Sequence, residues 1–99
     1  MNQVILLGNV GADPELIHTE SGKVKCKFSL ATNSSYKNKM GEWVNEVEWH
    51  TCVAWNTRAE SIARRVQKGT KVLVQGKIEY YKTEDRTYCQ ILVNQIRIV

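Results

Sequence analysis

The sequence predicts an all-β domain, a five-stranded barrel with one short helix between its third and fourth strands. Three observations carry that expectation. Apolar and polar residues alternate with period two over much of the chain, only one window has helical spacing, and a single proline with six separated glycines cuts the rest into strands and short turns. A chain of 99 residues has room for one hydrophobic core, so residues 1–99 are read as a single domain without repeats or linkers.

The elements follow in order. Val4 to Val10 is a near-continuous apolar run, closed by the turn residues Gly11-Ala12-Asp13-Pro14, and reads as a mostly buried first strand that Leu16 and Ile17 briefly restart. After the turn Glu20-Ser21-Gly22, Val24, Cys26, Phe28 and Leu30 alternate with Lys23, Lys25, Lys27 and Ser29, giving one core face and one solvated lysine face. Asn33 to Gly41 is polar and basic and is expected to be a loop, carrying Tyr36, Lys37 and Lys39. Trp43 to Trp55 is the third strand, with Trp43, Val47, Trp49, Val53 and Trp55 on one parity and Val44, Glu46, Glu48, His50, Cys52 and Ala54 on the other. Neither parity is uniformly polar, which predicts a bulge or a strand shared between two surfaces, and parity alone does not say which tryptophans are exposed.

Asn56 to Lys68 is the helical window, with Ala59, Ile62, Ala63 and Val66 at three- and four-residue spacing, a Thr57–Glu60 capping box and Gly69 as the stop. Lys71 to Glu79 alternates again, Thr83–Arg86 makes a tight hairpin, and Tyr88 to Val99 closes the chain. Three strands, a helix and two strands is the element order of the OB-fold.

Fourteen Lys and Arg against ten Asp and Glu give a net charge of +4 and a pI near 9.1, a balance that suits polyanions as well as many ordinary domains. Three Trp and four Tyr stand against a single Phe, and amphipathic rings are the kind that sit exposed and stack on bases. Charge and rings together point to nucleic acid. No apolar stretch approaches the roughly 20 residues of a membrane span and no secretory signal opens the chain, so a soluble cytoplasmic protein is expected.

Cys26, Cys52 and Cys89 are widely spaced and form no C-x-x-C pair, which argues against a disulfide framework or a zinc site and reads as three buried, reduced thiols. His50 has no nearby His or Cys partner, Glu46 and Glu48 lack an acid-base companion, and Gly8–Gly11 is too short for a phosphate loop. No catalytic residue, metal or cofactor is expected, and the chain does not read as an enzyme.

Several stretches are familiar: N-Q-V-I-L-L-G-N-V-G-A-D-P-E (Asn2–Glu15), F-S-L-A-T (Phe28–Thr32), E-W-H (Glu48–His50) and K-G-T-K-V-L-V-Q-G-K (Lys68–Lys77). Together they resemble the bacterial-type single-stranded DNA-binding protein family over essentially the whole chain; members also occur in organelles and phages. The opening motif and E-W-H are the specific pieces. The resemblance implies non-specific binding of single-stranded DNA during replication, recombination and repair, by base stacking and phosphate neutralisation. It places Trp49 and Trp55 at stacking positions, Tyr36 where a third ring is often found, and Lys68 at a basic position. It also implies a homotetramer with His50 at a subunit contact. A family aromatic falls at Thr83 here, and Thr51 replaces a residue that is often basic. Tyr81, of the same parity as Thr83, is a candidate stand-in, with Lys82 beside it, while Tyr80 shares parity with Val72, Val74 and Ile78 and is expected to be partly buried; the sequence does not fix which Tyr replaces the missing ring. Lys37, Lys39, Lys68 and Lys82 are the candidate phosphate contacts; Trp43 has no family counterpart and is read as a packing residue. Family members usually carry a flexible acidic tail that recruits replication and repair proteins, so such partners belong to this protein only if a tail is missing from this chain, which stops at Val99. An RNA-preferring or primosomal accessory OB protein, and an OB module that binds protein and not DNA, are the alternatives.

Overall fold

The computed structural model describes all 99 residues. In chain order the elements are β1 (Val4–Val10), β2 (Glu15–His18), β3 (Val24–Lys37), β4 (Trp43–Trp55), α1 (Asn56–Arg65), β5 (Lys71–Lys82) and β6 (Thr87–Ile98). β1 pairs with β5, β5 with β6 and β3 with β4, all antiparallel. A short parallel contact, Cys52 with Ile91 and Val53 with Leu92, joins β4 to β6, and Asn9 and Val10 join β1 to β3. These pairings close β1, β3, β4, β6 and β5 into a five-stranded ring, the OB barrel that the element order predicts, with β2 as an added edge on β3.

The inward parity of each strand fills the barrel: Val10, Cys26, Phe28, Leu30, Cys52, Ala54, Val72, Val74, Ile91 and Val93 form one cluster, which Ala59, Ile62 and Val66 cap from the helical side. Where the pairing of β5 and β6 shifts between Gln75 and Gly76, Asn94 is the extra residue. That bulge reverses the parity of β6, so Ile91 and Val93 before it and Ile96 after it all meet the core. A Cβ on Gly76 would overlap the Leu92 carbonyl oxygen, and one on Gly8 would overlap that of Ala31; the backbones approach too closely for any side chain there.

Several expectations need correction. The segment Asn33–Lys37 is strand and not loop: β3 stays in register with β4 from Lys25–Trp55 out to Lys37–Trp43, and ladder bonds outweigh the weak strand preference of Asn and Ser. Only Asn38–Glu42 turns, with the Asn38 carboxamide oxygen accepting from the N–H groups of Met40 and Glu42 at 2.9 Å each. The same unbroken register excludes a bulge in β4 against β3; the strand is shared, its last residues in the barrel and its first residues in an arm projecting into solvent. The helix stops at Arg65 because Val66 turns extended, with φ −112°, to bury its side chain. No side-chain hydrogen bond caps its start, so the Thr57–Glu60 box does not form. Gly69 serves the following turn, at φ 89°, and donates to the Val10 carbonyl at 2.8 Å. Tyr80 and Cys89 are exposed, not buried. They lie opposite each other on the β5–β6 arm, past the end of the barrel, where the core-facing parity has no core to face. No helix is long and apolar enough to cross a membrane.

Candidate nucleic-acid interface

Residues opposed in an antiparallel pair project to the same side of the sheet. The β3–β4 register therefore puts Lys25, Lys27, Ser29, Ala31, Asn33, Ser35 and Lys37 on one side with Trp55, Val53, Thr51, Trp49, Val47, Asn45 and Trp43. That side carries three tryptophans and three lysines and not one carboxylate. The reverse side enters the core through Cys26, Phe28 and Leu30, and further out carries Thr32, Ser34 and Tyr36 opposite Glu48, Glu46 and Val44.

Each tryptophan is held differently. Trp49 is 62% exposed, yet one edge of its ring rests on Gly11: a Cβ there would overlap Cζ3 and lie 3.0 Å from Cη2. The glycine leaves a flat seat, and the ring keeps a free face. Trp55 is half-buried where the strand meets the helix, with Lys25 Nζ 5.7 Å from its ring centroid, a cation–π contact that ties ring and charge together. Trp43 is 72% exposed at the arm's tip, opposite Lys37. The three rings recur every six residues, about 20 Å apart at strand rise.

A second aromatic group stands on the β5–β6 arm. Tyr81 and Tyr88 are opposed in register and stack at 5.1 Å with 16° between their planes, and the Arg86 guanidinium lies 4.9 Å from the Tyr88 ring centroid. They share parity with Lys77, Glu79 and Leu92, and the pairing of buried Val53 with Leu92 joins this side of the β5–β6 sheet to the tryptophan side.

The structure thus brings Trp49, Trp55, Lys37 and Tyr81 onto one continuous surface and leaves other expected residues apart from it. Tyr36, 46% exposed, faces the reverse side of its arm beside the glutamates. Lys82 is opposite Thr87 on the parity away from Tyr81. Lys39 lies in the arm's turn, and Lys68 in the turn after the helix, where its N–H donates to Asp13 Oδ1 at 2.7 Å. His50 is part-buried, its Nε2 2.9 Å from Thr32 Oγ1. Lys25 and Lys27, which the sequence reads as a solvated face, Trp43, which it reads as packing, and Tyr88, which it does not single out, share this surface. The hairpin at Thr83–Arg86 already sets Tyr88 across from Tyr81, so that signal was available.

The thiols are not reagents here: burial pushes Cys52 up to about 12 and raises Cys26 as well, so both stay protonated at neutral pH. What the surface offers is flat apolar area and cations, with no carboxylate from β3 or β4 and with Glu15 beside Lys27 and Glu79 beside Tyr81 at its margins, which is equipment for holding a polyanion with exposed rings.

Comparison with known proteins points the same way. A model of the single-strand binding protein family matches residues 1–99. Single-stranded DNA-binding proteins of Neisseria meningitidis and Rhizobium meliloti are 31% and 36% identical over 100% and 88% of this chain. One from Chlorobaculum tepidum is 34% identical over 94% of it. The chain spans 60%, 51% and 60% of those three relatives, respectively. The fold matches a crystal structure of a deletion mutant of the single-stranded DNA-binding protein from Thermus aquaticus with a TM-score of 0.90, at 23% identity, over 100% of this chain and 50% of that one.

Proposed function

Given that the chain belongs to the single-strand binding protein family, we propose that it binds single-stranded DNA without sequence preference and holds it open during replication, recombination and repair. It acts as a binding protein and not as an enzyme. The observation that carries this reading is the β3–β4 side with three tryptophans, three lysines and no carboxylate. A stacked ring accepts any base, because every base has a π-face, and contributes about 1–3 kcal/mol. Lysines that neutralise phosphates add a counterion-release gain that falls with salt. Trp49 and Trp55 are the principal stacking residues, with Trp43 and the Tyr81–Tyr88 pair extending the track. Lys25, Lys27 and Lys37 accompany the backbone, and Lys39 and Lys68 extend the positive rim. Tyr36 and Lys82, on the reverse parities, engage the strand where it passes round an arm.

The same reading includes a homotetramer with His50 at a subunit contact. Its support is the apolar outer side of β1, where Ile5 is 63% and Leu7 50% exposed next to each other on one side of the strand. A cytoplasmic place on the nucleoid belongs to the proposal as well, and recruitment of replication and repair proteins belongs to it only if a tail is missing from this chain.

Titrating tryptophan emission with oligo(dT), with duplex DNA of equal length and at two salt concentrations tests it. Quenching by the single strand alone, with a salt slope near −0.7 per phosphate contacted, is expected. Emission indifferent to oligo(dT) would sink the stacking mechanism, and stronger binding of an RNA oligonucleotide would sink the assignment to DNA.

A further inference from the structure

A groove beside the tryptophan surface includes none of the lysines invoked so far. It is an open groove of about 870 Å³ between the start of α1 and the β5–β6 pair, with Trp55 at its rim. Arg58, Ser61 and Arg65 line one wall at three- and four-residue spacing, which is one face of the helix, and Arg97 projects from β6 opposite them. Amides from Gln75, Asn94 and Gln95 lie between, and none of the twelve lining residues is acidic. The first turn of α1 has no acidic residue and no side-chain cap, so its free N–H groups add to the positive potential rather than cancel it.

We propose that this groove is a phosphate-binding channel that carries the single strand onward from Trp55, with Arg58, Arg65 and Arg97 as its phosphate ligands. The inference rests on the proposed function and extends it to a site separate from the stacking surface. Three guanidinium groups are planar forks that match phosphate oxygens two at a time, and an acid-free cluster of them is favourable only when an anion is near. Amide side chains donate to the same oxygens without adding charge. The groove is open in the single chain, which suits a polymer better than a free ion; its strand residues Gln75 and Leu73 pair with Ile5 and Leu7, so it borders the proposed subunit face, and Trp55 belongs to both surfaces, so a base stacked there sets its own phosphate at the groove's entrance.

The test uses the full chain and oligo(dT), with tryptophan emission as readout across a salt series. Replacing all three arginines by glutamine (Arg58→Gln, Arg65→Gln, Arg97→Gln) should flatten the slope of log K against log salt by about 2, at about 0.7 per lost phosphate contact. The matching lysine triple should keep most of the slope. Arg64→Gln is the control, because Arg64 is on the same helix but borders a different, smaller depression. It should leave the slope near that of the parent while Arg58→Gln, which borders the groove and not that depression, lowers it. If the triple glutamine variant titrates like the parent, or if Arg64→Gln flattens the slope as much as Arg58→Gln does, the channel is refuted. Should the triple variant misfold, the single-residue pair decides. A parent that fails to bind oligo(dT) refutes the function itself, a different and earlier failure.

Discussion

Gly11→Ala is the sharpest probe of the stacking surface, because it leaves every ring and charge in place and removes only the seat of one ring. The added Cβ would overlap Trp49 Cζ3 and lie 3.0 Å from Cη2 and 2.9 Å from Ser29 Oγ. Carbon atoms settle at about 3.5–4.0 Å, so the ring must tilt away by roughly an ångström. The backbone at Gly11 is not left-handed, so alanine adds no strain of its own there. Trp49 is 62% exposed and free to swing, which should hold the stability loss to about 1 kcal/mol and the fall in Tm to a few degrees. Binding should suffer more. Trp49→Ala sets the ceiling, a loss of about 1–3 kcal/mol or roughly fivefold to 150-fold in affinity. Gly11→Ala should fall between parent and ceiling, with an unchanged salt slope because no cation has moved. The assay is the oligo(dT) titration beside a thermal melt. A Gly11→Ala curve that superimposes on the parent's while Trp49→Ala weakens binding would refute the idea that the seat positions the ring.

Gly76→Ala should be far more damaging, since its Cβ would overlap the Leu92 carbonyl oxygen, part of a ladder with no room to yield; a loss of about 3 kcal/mol or more in a urea melt is expected, and a loss below about 1 would contradict the close approach. In an alkylation time course at pH 8, Cys89 should react at once and Cys26 and Cys52 only on unfolding. The folded Cys52 thiol holds its proton up to about 12 whereas the unfolded one releases it near 9. Between those values the unfolded state binds fewer protons, so this group lowers stability by about 1 kcal/mol per pH unit as pH rises above 9 and has no effect below it. Urea melts of the parent and Cys52→Ala at pH 8 and pH 10 should show that difference, and parallel pH trends would refute it. Ile5→Gln with Leu7→Gln should lower the mass seen by sedimentation equilibrium; a parent that is already monomeric would end the tetramer proposal.

The barrel was legible because its strands obey one rule over long runs: Val24 to Leu30 and Lys71 to Ile78 alternate as strands with one buried side must. What escaped was the set of positions where tertiary pairing overrules local preference. Asn33, Ser34 and Ser35 look like loop and are strand because β4 supplies their ladder. Tyr80 and Cys89 have core parity but stand where the arm has outrun the core, and no period in the sequence says how long a barrel is. The site was half legible. The sequence names Trp49, Trp55 and Lys37 as candidates, but that they share one side with Lys25 and Lys27 follows from an unbroken register that parity within one strand does not reveal. The same register puts Tyr36 on the other side.

The β3–β4 arm is one sheet thick, with Lys37 on the side that continues to Lys25 and Lys27 in the barrel and Glu46 and Glu48 on the other, a separation of about 10 Å. At 0.1 M ionic strength the screening length is also about 10 Å. The two sides are then electrically separate, and a strand on the lysine side scarcely senses the acids behind it. At 0.01 M the screening length grows to about 30 Å and the whole arm acts as one body of mixed sign. The arm therefore distinguishes its front from its back best at moderate ionic strength, and dilution of salt, which strengthens each contact taken singly, blurs which way the arm faces.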